Sequence, residues 1–350
     1  TWASAAWKSR KNTAAWARII TPSQRPPLFE GNAMEYYFAP MEGITGGEFR
    51  RVHHRHFFGV DKYYMPFISP TREHLFTQRE RRNIDPEVNR GIPAVPQLLT
   101  KSAEDFLWAA NALGEMGYEE VNLNLGCPSG TVVAKGKGAG MLAHPEELDR
   151  FLDQVFGGVR VKVSVKTRLG LESPEEFGPL LEIFEKYPLH LLIIHPRVRK
   201  DFYSEPVRIE AFSRALEMYS GPVCYNGGLV TAEGCCRFQE RFPQVDRVMI
   251  GQGLLADPAL AAKAKGEPPP DRKVLRAFHD GLYQTYLEAF GSQRNTVFHM
   301  KELWSYLCRL FEGGDRLFKD IRKAQDSRDY EGAVARVFGE LPMRKDALWE

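Results

Sequence analysis

Polar and apolar positions alternate in a regular way between residues 36 and 251. Eight short runs of apolar and β-branched residues are separated by longer segments of helical periodicity, and they cover residues 36–40, 60–66, 94–98, 120–124, 161–166, 191–195, 222–226 and 247–251. Strands that alternate with helices are typical of parallel sheets, and eight of them predict a (β/α)8 TIM barrel. A doubly wound open sheet gives a similar alternation and stays the alternative fold.

Two of the segments between the runs carry clear helical signals. Residues 102–116 place Phe106 and Leu113 on one apolar stripe, and residues 145–156 repeat this pattern. Gly117 stands where the C-cap of a helix favours glycine. Both segments are therefore predicted to be helices that cover the outside of the sheet.

Most of the eight runs end on a polar or conformationally special residue. These residues are Pro40, Gln97, Asn124, Lys166, His195, Asn226 and Gly251. In a TIM barrel the carboxyl ends of the strands converge on the face that carries the active site, whereas residues within the strands fill the core. The sequence therefore predicts a ring of functional side chains at one end of the barrel.

Composition narrows the class of protein. Of the 350 residues, 43% are hydrophobic and 26% are charged, which is ordinary for a globular protein with a large core. The net charge of +2 is too small to indicate a polyanionic partner by itself. The five cysteines form no CxxC pair and no cluster at zinc spacing, so no disulfide framework and no metal site are predicted, and a reducing cytoplasm is expected. No apolar run is long enough to span a membrane.

The chain divides into three predicted segments. Residues 1–34 contain lysine and arginine but no acid before Glu30, which fits either an organelle transit peptide or basic arm, or a poorly ordered extension. Residues 35–265 are predicted to form the barrel. After a proline-rich linker, residues 271–346 have a helical pattern and predict a small helical domain.

Glycine turns follow the seventh and eighth runs, at residues 226–228 and 251–253. Barrels commonly bind a phosphate at this place, since glycine lets backbone N–H groups approach the anion. Lys166 offers a cation to the electron-rich edge of an isoalloxazine ring, and Gln97 and Asn124 offer amides to its pyrimidine edge. Together they predict a seat for a phosphorylated flavin.

Seven sequence blocks resemble the tRNA-dihydrouridine synthases in order and spacing. They are APMEGIT at 39–45, PQL at 96–98, NLNLGCPS at 122–129, VKTRLG at 165–170, IHPR at 194–197, NGG at 226–228 and IGQG at 250–253. The resemblance covers residues 35–345. It implies a flavin mononucleotide (FMN) enzyme with a TIM barrel and a C-terminal helical domain.

The resemblance also implies roles for single residues. The implied cofactor-binding set is Pro40, Met41, Gln97, Lys166, His195, Asn226, Gly228, Gly251 and Gln252. Cys127 resembles the catalytic acid, and Asn124 beside it would orient the uracil. The implied reaction has two stages: NADPH or NADH reduces FMN, which then transfers hydride to C6 of a uridine in tRNA while Cys127 protonates C5, giving 5,6-dihydrouridine.

A loop rich in glycine and lysine follows Cys127. Asn124, with Lys135 and Lys137 of this loop and with Arg168 and Arg197 beyond the fifth and sixth runs, makes up the predicted substrate-binding set. The four cations would form an electrostatic track for RNA phosphates. A flexible lid and a solvated basic turn both fit the loop.

Two positions depart from the family pattern. Gln252 stands where the family usually has arginine, so a charged contact with the flavin phosphate would be lost. Pro196 follows His195 where the family usually has glycine, and proline has no N–H to donate.

Basic residues recur in the predicted helical domain. Arg309, Arg316, Lys319 and Lys323 fall on one side of a helix if that helix continues through residues 313–314. A break at this pair of glycines would scatter them. The resemblance implies that this domain grips folded tRNA, whereas a solvated charged face is the alternative.

The predicted partners are tRNA and NAD(P)H, without a membrane, and the predicted working unit is a monomer. Two other functions stay open. One is a flavin-dependent reductase of a free pyrimidine, against which the helical domain argues. The other is a non-catalytic RNA-binding barrel protein, against which Cys127 and Lys166 argue.

Overall fold

The computed structural model of the protein describes residues 34–349. Within the chain, Met34–Glu350 form one compact unit. The predicted N-terminal extension, with its transit-peptide and basic-arm alternatives, lies outside the described residues except for Met34. No helix among those that the structure describes is both long and apolar enough to cross a bilayer.

Nine parallel β-strands are present in residues 34–349. They are β1 (Glu35–Phe38), β2 (Val60–Tyr64), β3 (Ala94–Val95), β4 (Gln97–Leu98), β5 (Glu120–Leu125), β6 (Lys162–Arg168), β7 (Leu191–His195), β8 (Val223–Asn226) and β9 (Arg247–Ile250). Their order in the sheet is β3-β2-β1-β9-β8-β7-β6-β5-β4. Each predicted run therefore overlaps at least one strand, although several strands begin or end one or two residues outside it.

Only Pro96 separates β3 from β4 in sequence. β3 pairs with β2 and β4 pairs with β5, so the two ends of the sheet meet at this proline. Pro96 has no N–H, but its carbonyl accepts a hydrogen bond from the Asn122 amide at 2.8 Å. The sheet is closed, with β3 and β4 as two halves of the third barrel strand. This confirms the predicted eight-stranded TIM barrel and excludes the open sheet.

Helices surround the barrel. They are α1 (Gly47–His56), α2 (Gln78–Ile84), α3 (Ala103–Glu115), α4 (Gly130–Val133), α5 (Pro145–Gly158), α6 (Phe177–Phe184), α7 (Ile209–Met218), α8 (Ala232–Arg241), α9 (Gln252–Ala256) and α10 (Leu260–Ala264). The Ser102 side chain caps α3 by accepting from the Asp105 amide at 3.1 Å, and Gly117 follows its end with a φ of +96°. The helices predicted at residues 102–116 and 145–156 are thus confirmed.

The apolar side chains form two separate cores. A small core fills part of the barrel interior and consists of Tyr37, Ala39, Tyr64, Val95, Leu191, Ile193, Cys224 and Met249. The larger core includes the packing between the strands and the surrounding helices and extends into the C-terminal region. Because successive side chains of a strand point to opposite faces, each strand contributes to both sides of the barrel wall.

Four further helices form the C-terminal region. They are α11 (Arg272–Phe290), α12 (Gln293–Leu307), α13 (Gly314–Lys323) and α14 (Ser327–Glu340). α11 packs against α1, where the Phe278 ring contacts Phe49 and Phe57 at centroid distances of 6.0 and 5.2 Å. α12 packs against α9. The division into a barrel domain at 35–265 and a helical domain at 271–346 stays a prediction.

The chain breaks its helix before α13. A 3-10 turn at Cys308–Leu310 follows α12, and Gly313 has a φ of +70°, which favours glycine. Arg309 therefore does not share a helix with Arg316, Lys319 and Lys323. The break at the paired glycines thus removes Arg309 from the basic stripe, and the other three cations stay on α13.

Candidate active site

A column of side-chain amides runs through the barrel interior. Asn122 of β5 donates from Nδ2 to the Ser164 hydroxyl of β6 at 2.9 Å and accepts at Oδ1 from Gln97 Nε2 of β4 at 2.8 Å. Asn124 donates from Nδ2 to Gln97 Oε1, also at 2.8 Å. All four side chains are buried. The column links three adjacent strands and ends at the carboxyl-end mouth of the barrel.

The hydrogen bonds of Asn124 at the mouth fix the orientation of the amide groups in this column. Asn124 Oδ1 accepts from the backbone N–H groups of Gly126 and Cys127, at 3.0 and 2.9 Å. Because a backbone N–H can only donate, the amide oxygen of Asn124 must face the loop, and its NH2 group must face Gln97. The same reasoning orients Gln97 and Asn122 in turn. Gln97 keeps its second N–H as a donor for a ligand.

Cys127 lies in a loop that is held from several sides. Besides the bond from its amide to Asn124, its carbonyl accepts from the Ala139 amide at 3.2 Å. Gly138 has a φ of +58°, and a Cβ there would lie only 3.0 Å from the Cys127 Cβ. The side chain of Cys127 is half-buried. The turn that follows thus folds back tightly against the cysteine and leaves it partly accessible.

The Arg168 side chain holds the Cys127 loop through hydrogen bonds to backbone carbonyls. Its guanidinium donates to the carbonyls of Gly126, Val198 and Phe202, at 2.9, 3.0 and 2.9 Å. The residue is almost fully buried, and burial lowers its pKa. These contacts give Arg168 a positioning function between two loops. Its predicted contact with the substrate stays a prediction.

Lys166 lies one layer above Ser164 on β6 and pairs in register with Asn124. The strand continues to Arg168, so Lys166 points from within the strand rather than from its end. Among residues 34–349, its ammonium group has neither a hydrogen-bond partner nor an ion pair. Burial, and then the charge of Arg168, lower its pKa to about 7. An anionic ligand is the natural partner for such a cation.

His195 ends β7 beside this lysine. Its Nε2 lies 2.8 Å from Arg197 Nη1, and because arginine only donates, the ring nitrogen accepts and the imidazole is neutral. Burial lowers the His195 pKa well below its ordinary value, and so do the charges of Lys166, Arg168 and Arg197. The three charges that lower the His195 pKa most, after burial, are all positive. This group of cations favours an anionic ligand beside His195.

The turns after β8 and β9 have the shape of a phosphate site. Gly227 and Gly228 have φ values of +138° and +68°, and a Cβ at Gly227 would lie 3.0 Å from His195 Cδ2. Asn226 is buried and donates to the Met249 carbonyl at 2.8 Å. The short helix α9 begins directly after Gly251. TIM barrels commonly bind phosphate at such a short helix after their last strands.

Met41 lies against the turn that follows β9. Its amide donates to the Thr45 hydroxyl at 2.9 Å, and its Sδ would lie 3.1 Å from a Cβ built on Gly251. Pro40 precedes it at the carboxyl end of β1, half-buried. The structure therefore brings Pro40 and Met41 to the same mouth as the glycine turns.

Gln252 faces the C-terminal region. Burial raises the pKa of the Tyr306 hydroxyl on α12, and a hydrogen bond with the Gln252 side chain opposes that rise. Gln252 is thus in contact with α12 at the first residue of α9. An arginine at this place would meet the same tyrosine, so the departure from the family pattern coincides with an interhelical contact.

The basic turn after Cys127 lies at the rim. Lys135 is exposed and Lys137 is half-buried. A Cβ at Gly136 between them would lie 3.5 Å from the Nζ of Lys101, an exposed residue beyond β4. Three lysines therefore share this part of the rim.

Sequence reasoning missed several residues of the site. Asn122 and Ser164 stand two positions before Asn124 and Lys166, so the period of two within each strand was the signal that could have found them. Tyr203 is exposed, and the Arg168 guanidinium lies 5.3 Å from its ring centroid. Lys101 also belongs to none of the sequence motifs that predicted the site. Both Tyr203 and Lys101 come from loops, whose placement needs the fold.

The part of the chain that the structure describes contains no group of three or more His, Cys, Asp or Glu side chains that could hold a metal ion. The donors at the mouth are amides, cations, backbone N–H groups and one thiol. Such donors suit an anionic ligand with a polar ring.

Comparison with known proteins identifies the family of this chain. The sequence model described as "Dihydrouridine synthase (Dus)" matches residues 37–337. A tRNA-dihydrouridine(16) synthase from Ralstonia nicotianae is 28% identical over 318 residues, which cover 87% of this chain and 96% of that protein. A probable tRNA-dihydrouridine synthase from Rhodobacter capsulatus is 27% identical over 276 residues, which cover 77% and 84%.

A solved structure supports the fold. The old yellow enzyme homologue from Zymomonas mobilis (NCR) is similar with a TM-score of 0.50 and 11% sequence identity, and the match covers 71% of this chain and 95% of that one. At this identity the similarity concerns the fold alone. It agrees with the closed barrel.

Proposed function

Since the chain belongs to the dihydrouridine synthase (Dus) family, we propose that it is an oxidoreductase that reduces uridine to dihydrouridine in tRNA. The observation that carries the proposal is the Cys127 loop, which Asn124 and Arg168 hold at the mouth of the barrel beside the unpartnered Lys166. From the family resemblance we expect the proton donor at Cys127 and the cofactor cation at Lys166. Relatives named tRNA-dihydrouridine synthase support tRNA as the substrate.

We propose FMN as the bound cofactor, with NADPH or NADH as the reductant. The side chains at the mouth fit an anionic flavin phosphate, because Lys166, Arg168 and Arg197 lie near His195 and the glycine turns lack Cβ atoms where a ligand would approach. When bound, a flavin that NAD(P)H has reduced supplies the hydride that reaches C6 of the uracil.

The cofactor-binding set is proposed to act in two groups. Lys166 would hold the electron-rich edge of the ring as a cation, and Gln97 would offer it the second N–H of its amide. His195, Asn226, Gly228 and Gly251 would surround the phosphate end, with Pro40, Met41 and Gln252 at its sides. Gln252 would contribute a neutral amide there.

Cys127 is proposed to protonate C5 of the uracil. The S–H bond breaks, the proton moves to C5, and the sulfur keeps the electron pair as a thiolate. A cysteine thiol carries a proton at neutral pH unless its surroundings favour the thiolate, so it can act as a general acid there. Asn124 holds the backbone of Cys127 and is also proposed to orient the uracil.

The substrate is proposed to enter as a base turned out of folded RNA. A uracil in a stack has to be extruded before a flavin can lie against it, so much of the affinity must come from contacts elsewhere on the RNA. Lys135, Lys137 and Arg197 at the rim, with Lys101 beside them, would meet its phosphates. The C-terminal helices would add a second surface.

The setting of the enzyme is also part of the proposal. We propose a cytoplasmic monomer. In the described residues all five cysteines are free thiols, which fits a reducing compartment.

The test uses the full chain, tRNA that lacks dihydrouridine, FMN and NADPH. We expect the wild-type protein to be yellow with bound flavin and to form dihydrouridine in tRNA. Either NADPH or NADH should serve as the reductant. Cys127→Ala should reduce the rate by at least about 100-fold, the usual contribution of a positioned general acid, and keep the flavin. Cys236→Ala, at an exposed cysteine on α8, is the matched control and should behave as wild type.

The rival functions give different results in the same assay. Reduction of free uracil or uridine, without reduction of tRNA, would identify a reductase of free pyrimidines. A colourless protein that cannot be reconstituted with FMN but binds tRNA would identify a non-catalytic RNA-binding protein. Nucleoside mapping of the modified tRNA then shows which uridine is the target.

A further inference from the structure

Buried N–H donors without acceptors cluster in the C-terminal region. Within residues 34–349, five buried side-chain nitrogen or oxygen atoms have no hydrogen-bond partner, and three of them are Arg309 Nε, Arg344 Nε and Trp349 Nε1. An unsatisfied buried donor is costly, more so on a charged group, and native structures rarely keep several together. Their clustering indicates a place for an acceptor.

Backbone pairing brings the two arginines together. The Arg344 amide donates to the Leu310 carbonyl at 2.8 Å, and the Leu348 amide donates to the Arg309 carbonyl at 3.1 Å. The last described segment of the chain is thus held along the 3-10 turn at Cys308–Leu310. Arg309 and Arg344 line a cavity of about 280 Å3 beside this turn. We call this cavity the Arg309–Arg344 pocket.

The guanidinium groups in the pocket are free to bind an anion. The Arg309 guanidinium stacks on the Trp349 ring, 4.5 Å from its centroid, which fixes its plane. Neither Arg309 nor Arg344 forms an ion pair with a carboxylate of the described residues. Asp315 also lines the pocket, but its Oδ1 contacts only the Cys308 Sγ, at 3.8 Å. The pocket therefore offers two cations and one carboxylate acceptor.

We propose that the Arg309–Arg344 pocket binds a phosphate group, and that the ribose–phosphate backbone of RNA supplies it. A guanidinium matches phosphate oxygens with paired N–H donors, and arginine stays charged at every physiological pH. A phosphodiester has no proton to give to Asp315, whereas the neighbouring 2′-hydroxyl of RNA has one. Two guanidiniums with one carboxylate thus fit a ribonucleotide unit better than a bare anion.

The position of the pocket suits a contact away from the reacting base. The 3-10 turn packs beside α9, the helix that begins at the glycine turn of the barrel mouth. The pocket thus lies beside an element that reaches the barrel mouth, where the extruded uridine would bind. This RNA source rests on the proposed function, whereas the phosphate chemistry of the pocket does not.

The first arm of the test measures phosphate alone. Inorganic phosphate is titrated calorimetrically into the full chain against chloride at equal ionic strength. Arg344→Gln and Arg309→Gln should weaken binding at least about tenfold, as expected when a charge-assisted hydrogen bond is lost. Arg322→Gln removes the same charge from an exposed residue on α13 and should bind like wild type.

The second arm measures RNA. The affinity for unmodified tRNA is followed from low to high salt, where the loss of one phosphate contact should lower the salt slope by about one. Arg344→Gln should show this lower slope, and Arg322→Gln should keep the wild-type slope. The wild type should prefer the RNA to a DNA of equal sequence, and Asp315→Asn should reduce that preference.

The outcomes separate the possibilities. No phosphate binding above chloride, together with equal salt slopes for all variants, overturns the pocket. Phosphate binding that Arg344→Gln removes without a change in the tRNA slope overturns RNA as the source. If the Gln variants fail to fold, Arg309→Lys and Arg344→Lys keep the charge and should lose the paired geometry. A wild type that binds phosphate but forms no dihydrouridine refutes the proposed function and leaves the pocket standing.

Discussion

The two ends of the barrel place a lysine in opposite electrostatic surroundings. At the amino-terminal floor, Lys62 of β2 pairs with Glu120 of β5 at 2.6 Å, and the Tyr64 hydroxyl donates to the same carboxylate at 2.9 Å. Burial raises the Glu120 pKa, but the charge and hydrogen bond of Lys62, with bonds from Ser164 and Tyr64, lower it below its ordinary value. At the mouth, Lys166 has a lowered pKa and no carboxylate partner in the described residues.

The difference shows where the protein keeps a charge for a ligand. An ion pair at the floor satisfies itself, so it stabilises the barrel and has little to offer a ligand. A half-buried cation without a partner destabilises the free protein and gains most from an anion that binds beside it. The mouth is thus prepared for binding, and the floor is a structural end, as is usual in TIM barrels.

The largest expected effect comes from Lys166→Met. Loss of the cation should lower the rate of dihydrouridine formation by about 100-fold or more, as for other preorganised charge-stabilising groups, and should weaken flavin binding. The free protein should unfold at an equal or higher temperature, because the unpaired cation is gone. Flavin fluorescence titration and thermal unfolding measure the two effects. Lys162→Met, at the exposed start of the same strand, should change neither.

Lys62→Met should give the opposite pattern. It leaves Glu120 buried without its cation, which should lower the free energy of unfolding by about 3 kcal/mol, toward the low end for a broken buried pair because Lys62 is partly exposed. Denaturant unfolding checks this value. Lys186→Met breaks an exposed pair with Asp149 and should cost about 0.5 kcal/mol or less. Equal losses in the two variants would remove the contrast between floor and mouth.

The pH dependence of flavin binding should follow Lys166. Its pKa in the free folded protein is lowered to about 7, so the unfolded chain binds more protons between pH 7 and the ordinary lysine pKa. This group therefore makes the free protein more stable as the pH rises through that window. Flavin affinity should change in the other direction and fall by up to about tenfold per pH unit above pH 7. Lys166→Arg, which stays charged, should flatten the profile; a slope that persists in this variant would assign it to another group.

The smallest effect is expected from the column that joins the two ends. Ser164→Ala removes the acceptor of the Asn122 amide and should cost about 1 kcal/mol of stability. Because the column orients Asn124, the amides of Gly126 and Cys127 should exchange their hydrogens faster. Hydrogen exchange of residues 122–130 measures this change. Ser129→Ala, whose hydroxyl contacts only Thr131, is the control and should leave Cys127 exchange unchanged if the column acts as described.

Much of the fold followed from local patterns. Strand positions and the helices at α3 and α5 depend on periodicity and capping within about fifteen residues, and all were found from the sequence. The closure of the sheet at Pro96 was implied by the number of runs, but the split of the third strand was not. The paired glycines at residues 313–314 indicate a possible break in the helix. No sequence pattern predicts that Arg309 then lies beside Arg344.

The residue types at the carboxyl ends of the strands follow from the sequence, because strand order along the chain and the parallel barrel fix where those ends go. The cysteine, the lysine and the glycine turns are local features, and their motifs carry the family. The balance of charges around them depends on the three-dimensional packing. Whether Lys166 or Lys62 meets a carboxylate, how the amides of Gln97 and Asn122 are oriented, and that Arg309 meets Arg344 all depend on contacts between distant segments, and no local pattern encodes the distance between two side chains across a barrel.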